Sequence, residues 1–112
     1  MNHIDLRVND LAVAQEFYEL LLPALGYTER FHGDAWKVWA AAPDSYFAIT
    51  ESAEHVVNEN RIAFAVASHA VVDRIAELVE ATPKQMPYGP DYYAIFFADP
   101  SGNLLEVYVR ND

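Results

Sequence analysis

With no cysteine among its 112 residues, the chain has no disulfide, no thiolate metal ligand and no thiol nucleophile. Any chemistry must come from histidine, carboxylates, hydroxyls, arginine or lysine. Candidates fall on alternating stretches. In His3-Ile4-Asp5-Leu6-Arg7-Val8 apolar and polar residues alternate with the period of a strand, which puts His3, Asp5 and Arg7 on one face and Ile4, Leu6 and Val8 on the other. The same alternation groups Arg61 with Ala63 and Ala65, and Glu106 with Leu104 and Tyr108. A pocket histidine is suited to moving protons near neutral pH, as is a pocket carboxylate, while a guanidinium fixes an anion. The expected catalytic residues, His3 and Glu106, are of these types. Arg7, Arg61 and Tyr108, with aromatic walls from Trp36, Trp39, Tyr92 and Tyr93, are the expected substrate-binding residues.

The elements that must position them come from an internal repeat. Laying Ile4 to Leu21 on Ile62 to Val79 gives identities at Ile4/Ile62, Val8/Val66, Ala12/Ala70, Val13/Val71, Glu19/Glu77 and Leu20/Leu78. The shared pattern is period 2 followed by period 3.6, so each copy opens as strand then helix. Asp10 and Ser68 stand where the period changes, as N-caps, and Gly26 follows the first helix as a stop. The helices are expected over Leu11 to about Leu22, ended early by Pro23, and over His69 to about Ala81. Ile4, Leu6, Ile62, Phe64 and Phe17 are expected to be buried. Aromatic and β-branched runs at 36–39, 46–50, 92–97 and 104–109, broken by turn residues, read as hairpin strands, and Thr28–Phe31 and Lys84–Met86 could add one strand per copy. The result is an α+β chain of two β-α-β-β-β modules, repeat 3–51 and 61–109, within one domain spanning 1–112. The polar stretch from Glu51 to Asn60 joins them.

Composition removes other classes. The chain is 53% hydrophobic, with two Trp, seven Tyr and six Phe, which is ample apolar surface for a core and rules out disorder. Seventeen acidic residues against seven basic ones give a net charge of −10, which repels nucleic acid and anionic membranes alike. No apolar run has the length of a membrane helix, and Met1–Asp10 lacks the pattern of a secretory signal, so a cytoplasmic location is expected.

His3-Ile4-Asp5-Leu6-Arg7-Val8-Asn9-Asp10-Leu11, Glu16-Phe17-Tyr18, Leu25-Gly26-Tyr27 and Asp99-Pro100-Ser101-Gly102-Asn103-Leu104-Leu105-Glu106 together resemble the vicinal oxygen chelate superfamily of glyoxalase, bleomycin-resistance and extradiol-dioxygenase proteins. The resemblance covers nearly the whole chain. It implies paired modules curling a mixed sheet into a cup with the helices outside, and a homodimer. It also implies, in the metal-dependent members, a divalent ion held by four residues from the first and last strands of each module. His3 and Glu106 match two of these. Arg61 and Ala48 occupy the other two, and neither a guanidinium nor a methyl group has a lone pair to give. Glu51, three residues beyond Ala48, belongs to the opposite face of an extended strand. His32 and His55 read as loop residues. With the metal set incomplete, Glu106 is expected to pair with Arg61 instead.

Three functions follow from this reading. One is a glyoxalase-like lyase, isomerase or dioxygenase using a divalent metal such as Zn, Ni, Mn or Fe as Lewis acid. Another is a non-catalytic protein that sequesters a drug or metabolite against aromatic walls. The third is metal-free proton transfer, with Arg61 fixing an anionic substrate and His3 or Glu106 moving the proton. The favoured expectation is a small organic, oxygen-rich or anionic ligand and no tightly bound cofactor.

Overall fold

The computed structural model describes residues 2–88 and 91–110. In order, the elements are β1 (Asn2–Val8), α1 (Leu11–Ala24), β2 (Thr28–His32), β3 (Trp36–Ala41), β4 (Ser45–Glu51), β5 (Arg61–Ala65), α2 (His69–Val79), β6 (Lys84–Gln85), β7 (Tyr92–Ala98) and β8 (Leu104–Arg110). Both β-α-β-β-β modules of the repeat are present. The chain divides into two compact units between Val57 and Asn58, inside the polar joining stretch. Each unit has its own four-stranded mixed sheet, ordered β1-β4-β3-β2 in the first and β5-β8-β7-β6 in the second. The β1–β4 and β5–β8 pairs are parallel and the others antiparallel.

Both helices begin as the sequence dictates. The Asp10 carboxylate accepts from Val13 N at 3.2 Å and the Ser68 hydroxyl from Val71 N at 3.3 Å, satisfying donors that no helical carbonyl can reach. Their ends depart from expectation. Pro23 lies inside α1, which continues to Ala24. The helix closes when Gly26 turns to φ +91°, with Gly26 N donating to Pro23 O (3.0 Å) and Tyr27 N to Leu22 O (2.9 Å). This Schellman arrangement satisfies the last carbonyls, so one proline in the final turn is tolerated. α2 stops at Val79 because Glu80 adopts the left-handed conformation at φ 57°. His32 is the last residue of β2 and not a loop residue.

α1 covers β3 and β4 with Ala14, Tyr18, Leu21 and Leu22, all buried, against Trp39, Phe47 and Ile49. The spacing i, i+4, i+7, i+8 is one helical face. Tyr18 and not Phe17 takes the core position: its ring lies 5.2 Å from Phe47 and 6.4 Å from Trp39, while Phe17 is half-buried on the flank. α2 covers β7 and β8 with Val72, Ile75 and Ala76, over Ile95, Leu105 and Val107. Phe64 is buried as expected, but Ile4, Leu6 and Ile62 are only half-buried. They sit on β1 and β5, the edge strands of their sheets, which the helices do not cover in full. Among the described residues no helix is long and apolar enough to cross a membrane.

Candidate functional site

In the second unit, register decides which side chains meet. Glu106 on β8 stands opposite Ala63 on β5 and Phe96 on β7, and Tyr108 stands opposite Ala65 and Ala94. Arg61 is opposite Leu104, and Tyr92 is opposite Arg110. Cross-strand partners share a face, so Arg61, Tyr92, Phe96, Glu106, Tyr108 and Arg110 all lie on the face away from α2. Three of the expected site residues beside Glu106, namely Arg61, Tyr92 and Tyr108, are thereby brought together.

The centre of this face is Glu106, 6% exposed. A buried carboxylate needs a donor, and Tyr92 supplies it, its hydroxyl donating a hydrogen bond to Glu106 Oε2. That bond, more than burial, pushes the Tyr92 phenol up to about 12, because ionising it would set two anions face to face. Tyr108 packs edge-on against Tyr92 at 5.7 Å, and the Arg110 guanidinium lies 5.2 Å over the Tyr92 ring. The expected Arg61–Glu106 contact is not made. Arg61 lies 5.0 Å over the Phe96 ring and, among the described residues, forms no ion pair. Tyr93 points the other way. Its ring stacks on His69 at 4.3 Å, and its hydroxyl donates to Asp73 at 2.5 Å, a bond that raises its phenol above the usual range.

The loop that delivers β8 is built by the Asp99–Asn103 turn. Asp99, 5% exposed, accepts from Ser101 N, Asn103 N and Asn103 Nδ2, each at 2.9 Å, and Gly102 takes φ +85°. These residues make the turn from which β8 runs on to Glu106, three residues beyond Asn103.

In the first unit, the face away from α1 carries His3, Asp5 and Arg7 of β1, opposite Tyr46, Ala48 and Thr50 of β4, with Trp36 opposite Thr50 in turn. Its charges are internally matched. Arg7 Nη1 pairs with Asp5 Oδ1 at 2.9 Å, and Thr50 Oγ1 donates to the same oxygen at 2.9 Å. The His3 ring lies 6.0 Å from Tyr46. Trp36 is on this face and 40% exposed, whereas Trp39 is buried against Tyr18 on the helix side. Glu51 is also on the helix side, as the three-residue spacing requires, and its Oε2 accepts from Leu11 N at 2.8 Å. It is a cap for α1. His55 is half-buried, its carbonyl accepting from Asn9 Nδ2 at 2.8 Å while its Nε2 is enclosed without a partner among the described residues.

One charged residue was not foreseen. Lys37, 5% exposed, turns toward α1 and is held by Glu19 at 2.6 Å and by Glu29, with its ammonium 5.4 Å from the Trp39 ring. Burial works against its charge, but the two carboxylates outweigh it and raise the lysine above its usual range. The hydrogen bond from Lys37, with a second from Gln15, holds Glu19 below the usual carboxylate range. The sequence signal was Glu19 on the helix and Glu29 on β2, an acid on either side of an otherwise apolar strand.

A resident divalent metal does not fit these residues. The two vacant family positions are filled by a methyl group, Ala48, and by a guanidinium engaged with Phe96, while Glu106 already accepts from Tyr92. Within neither unit do three His, Cys, Asp or Glu side chains of the described residues gather to hold a metal ion.

No protein-family model and no curated protein matches the chain, but solved structures do. A glyoxalase/bleomycin resistance protein from Albidiferax ferrireducens T118 is 24% identical, with 99% of this chain and 98% of that one covered and a TM-score of 0.77. The fosfomycin resistance protein FosX from Listeria monocytogenes is 22% identical, covering 99% and 93%, with a TM-score of 0.78. FosX from Mesorhizobium loti is 21% identical, covering 99% and 92%, at 0.72. The chain thus has the glyoxalase/bleomycin-resistance fold, the fold that the sequence resemblance implied.

Proposed function

We propose that this chain binds a small, oxygen-rich, anionic organic molecule on the open face of its second sheet and does so without a resident metal. The observation that carries this reading is Arg61, an exposed guanidinium braced over Phe96 and unpaired among the described residues, on the same face as Tyr92, Glu106 and Tyr108. A guanidinium takes carboxylate or phosphonate oxygens in a fork and repels a cation. Phe96 and Tyr108 offer ring surface to the rest of the ligand. Glu106 is the group on this face able to receive a proton from a bound molecule, with Tyr92 fixing the carboxylate in place. The fold neighbours include fosfomycin resistance proteins, which is compatible with an anionic ligand. The proposal extends to a cytoplasmic homodimer, supported by the exposed run of the edge strand β2 with Phe31 at 53% exposure; light scattering that returns a 12.6 kDa particle overturns the dimer.

Calorimetry with a panel of 2-oxo acids, hydroxy acids and phosphonates, against matched amines, tests the ligand. The expected result is saturable binding of at least one anion, weakened about tenfold or more by Arg61→Ala. Binding confined to amines, no binding, or anion binding indifferent to Arg61→Ala overturns the proposal. Tight binding of one divalent ion per chain that requires His3 and Glu106 replaces it with the metal-dependent enzyme.

A further inference from the structure

The first unit holds a recess of about 260 Å³ at its hairpin end, lined by Thr28 and Arg30 of β2, Ala40 and Ala41 of β3, Asp44 of the β3–β4 turn and Tyr46 of β4. The volume is at the small end for organic ligands. Its lining mixes alanine methyl groups with polar and charged residues. Arg30 occupies the position where the β2–β3 register shifts between Glu29 and Phe31, and such a bulge re-aims a side chain; its guanidinium lies 5.9 Å over Phe31. Asp44, one of the residues lining the recess, is anchored through its backbone, its carbonyl accepting from Asn2 N at 3.1 Å. Arg30 and Asp44 form no ion pair with each other or with any other described residue, and the Tyr46 hydroxyl makes no hydrogen bond among them.

We infer that this recess binds a small zwitterion, a short α-amino acid or a molecule of that kind, with its carboxylate on Arg30 and its ammonium on Asp44. Opposite charges that share a recess without pairing reject ligands of single charge: a simple anion meets Asp44 and a simple cation meets Arg30, each unfavourably. A zwitterion satisfies both, with charge-assisted hydrogen bonds at either end. The Tyr46 hydroxyl adds a third contact. A short side chain fits over Ala40 and Ala41, and a long one exceeds the space. Because both charged groups are exposed, solvent screening makes the affinity millimolar.

Two-dimensional amide NMR of the full chain, titrated with glycine, L-alanine, propionate and ethylamine, tests the inference. Alanine or glycine is expected to shift the amides of Thr28, Arg30 and Tyr46 saturably, with propionate and ethylamine at least about tenfold weaker. Arg30→Gln and Asp44→Asn, exposed substitutions that leave the fold intact by circular dichroism, are each expected to weaken alanine by a similar factor. Absence of saturable shifts with both amino acids, equal binding of propionate, or indifference to both substitutions overturns the inference.

Discussion

The two units are one architecture with two surface chemistries. Register superposes them residue for residue: Lys37 pairs with Ile49 as Ile95 pairs with Val107, and Val38 with Ala48 as Phe96 with Glu106. On the helix side the repeat keeps apolar character almost throughout, with a charged residue in the first unit for an apolar one in the second at two positions, Lys37 for Ile95 and Glu51 for Val109. On the other face the exchanges are general. Ala48 and Thr50 stand where the second unit has Glu106 and Tyr108, and the first unit's Arg7 is matched by Asp5 while Arg61 is unmatched among the described residues. Burial holds the two frames alike, because a buried charge left without its partners costs about 3–5 kcal/mol. The open faces are free to diverge, and their divergence is where function is to be sought.

The largest expected effect tests the helix-side exchange of Lys37 for Ile95. Ile95→Lys places an ammonium in a fully buried position where Glu77 of α2 stands for Glu19 but no acid stands for Glu29. An incompletely paired buried charge costs about 3–5 kcal/mol, read as a fall in the urea midpoint or failure to fold. The reverse change, Lys37→Ile, is expected to stay within about 1 kcal/mol of the parent, since half-exposed Glu19 and Glu29 rehydrate as apolar contact is gained. Equal costs in the two directions would show that the frames are not equivalent.

Within the first unit, Tyr18→Ala is expected to cost about 3–5 kcal/mol and Phe17→Ala about half of that, by urea denaturation. The reverse order would show that the flank, not the Tyr18 face, carries the packing. The pair also shows where the sequence is legible. Strand order, helix starts and the turn at Asp99 could be read, because period and capping chemistry are local. Which of two adjacent aromatics enters the core could not, since tyrosine and phenylalanine serve either role and the answer depends on the sheet's angle beneath the helix. The face of Trp36 against Trp39, and of Tyr92 against Tyr93, is the same problem: alternation says the two differ in side without saying which is which. The strand and face of Glu106 could be read, but its partner was expected to be Arg61 on the same sheet face. Tyr92 won because its hydroxyl reaches the carboxylate directly while Arg61 settles on Phe96.

The turns offer a smaller contrast. Asp99→Ala leaves Ser101 N and Asn103 N without the acceptor they share and is expected to cost about 1–3 kcal/mol. Asp44→Ala, in the corresponding first-unit turn, removes a carboxylate without a partner among the described residues and is expected to fall within about 0.5 kcal/mol. Matched losses would mean that both turns rely on their side chains.

The gentlest probe is titration of the Tyr92–Glu106 pair, which the first unit lacks because Ala48 stands where the second unit has Glu106. The phenol is pushed up to about 12, chiefly by its hydrogen bond to Glu106, so the neutral form is favoured in the folded chain over the unfolded one. The pair's contribution to stability is accordingly complete below about pH 10, where an unfolded tyrosine is still neutral, and is lost as pH rises toward 12. Ultraviolet difference titration of the parent against Tyr92→Phe isolates this one tyrosine from the raised Tyr27 and Tyr93, and its ionisation is expected near the top of the range. Glu106→Gln removes the charge that opposes ionisation and should bring the difference signal down toward 10, while the first-unit substitution Ala48→Gln leaves it in place. A Tyr92 that ionises near 10 in the parent would mean that the hydrogen bond does not persist in solution, and that the two faces are chemically closer than their side chains indicate.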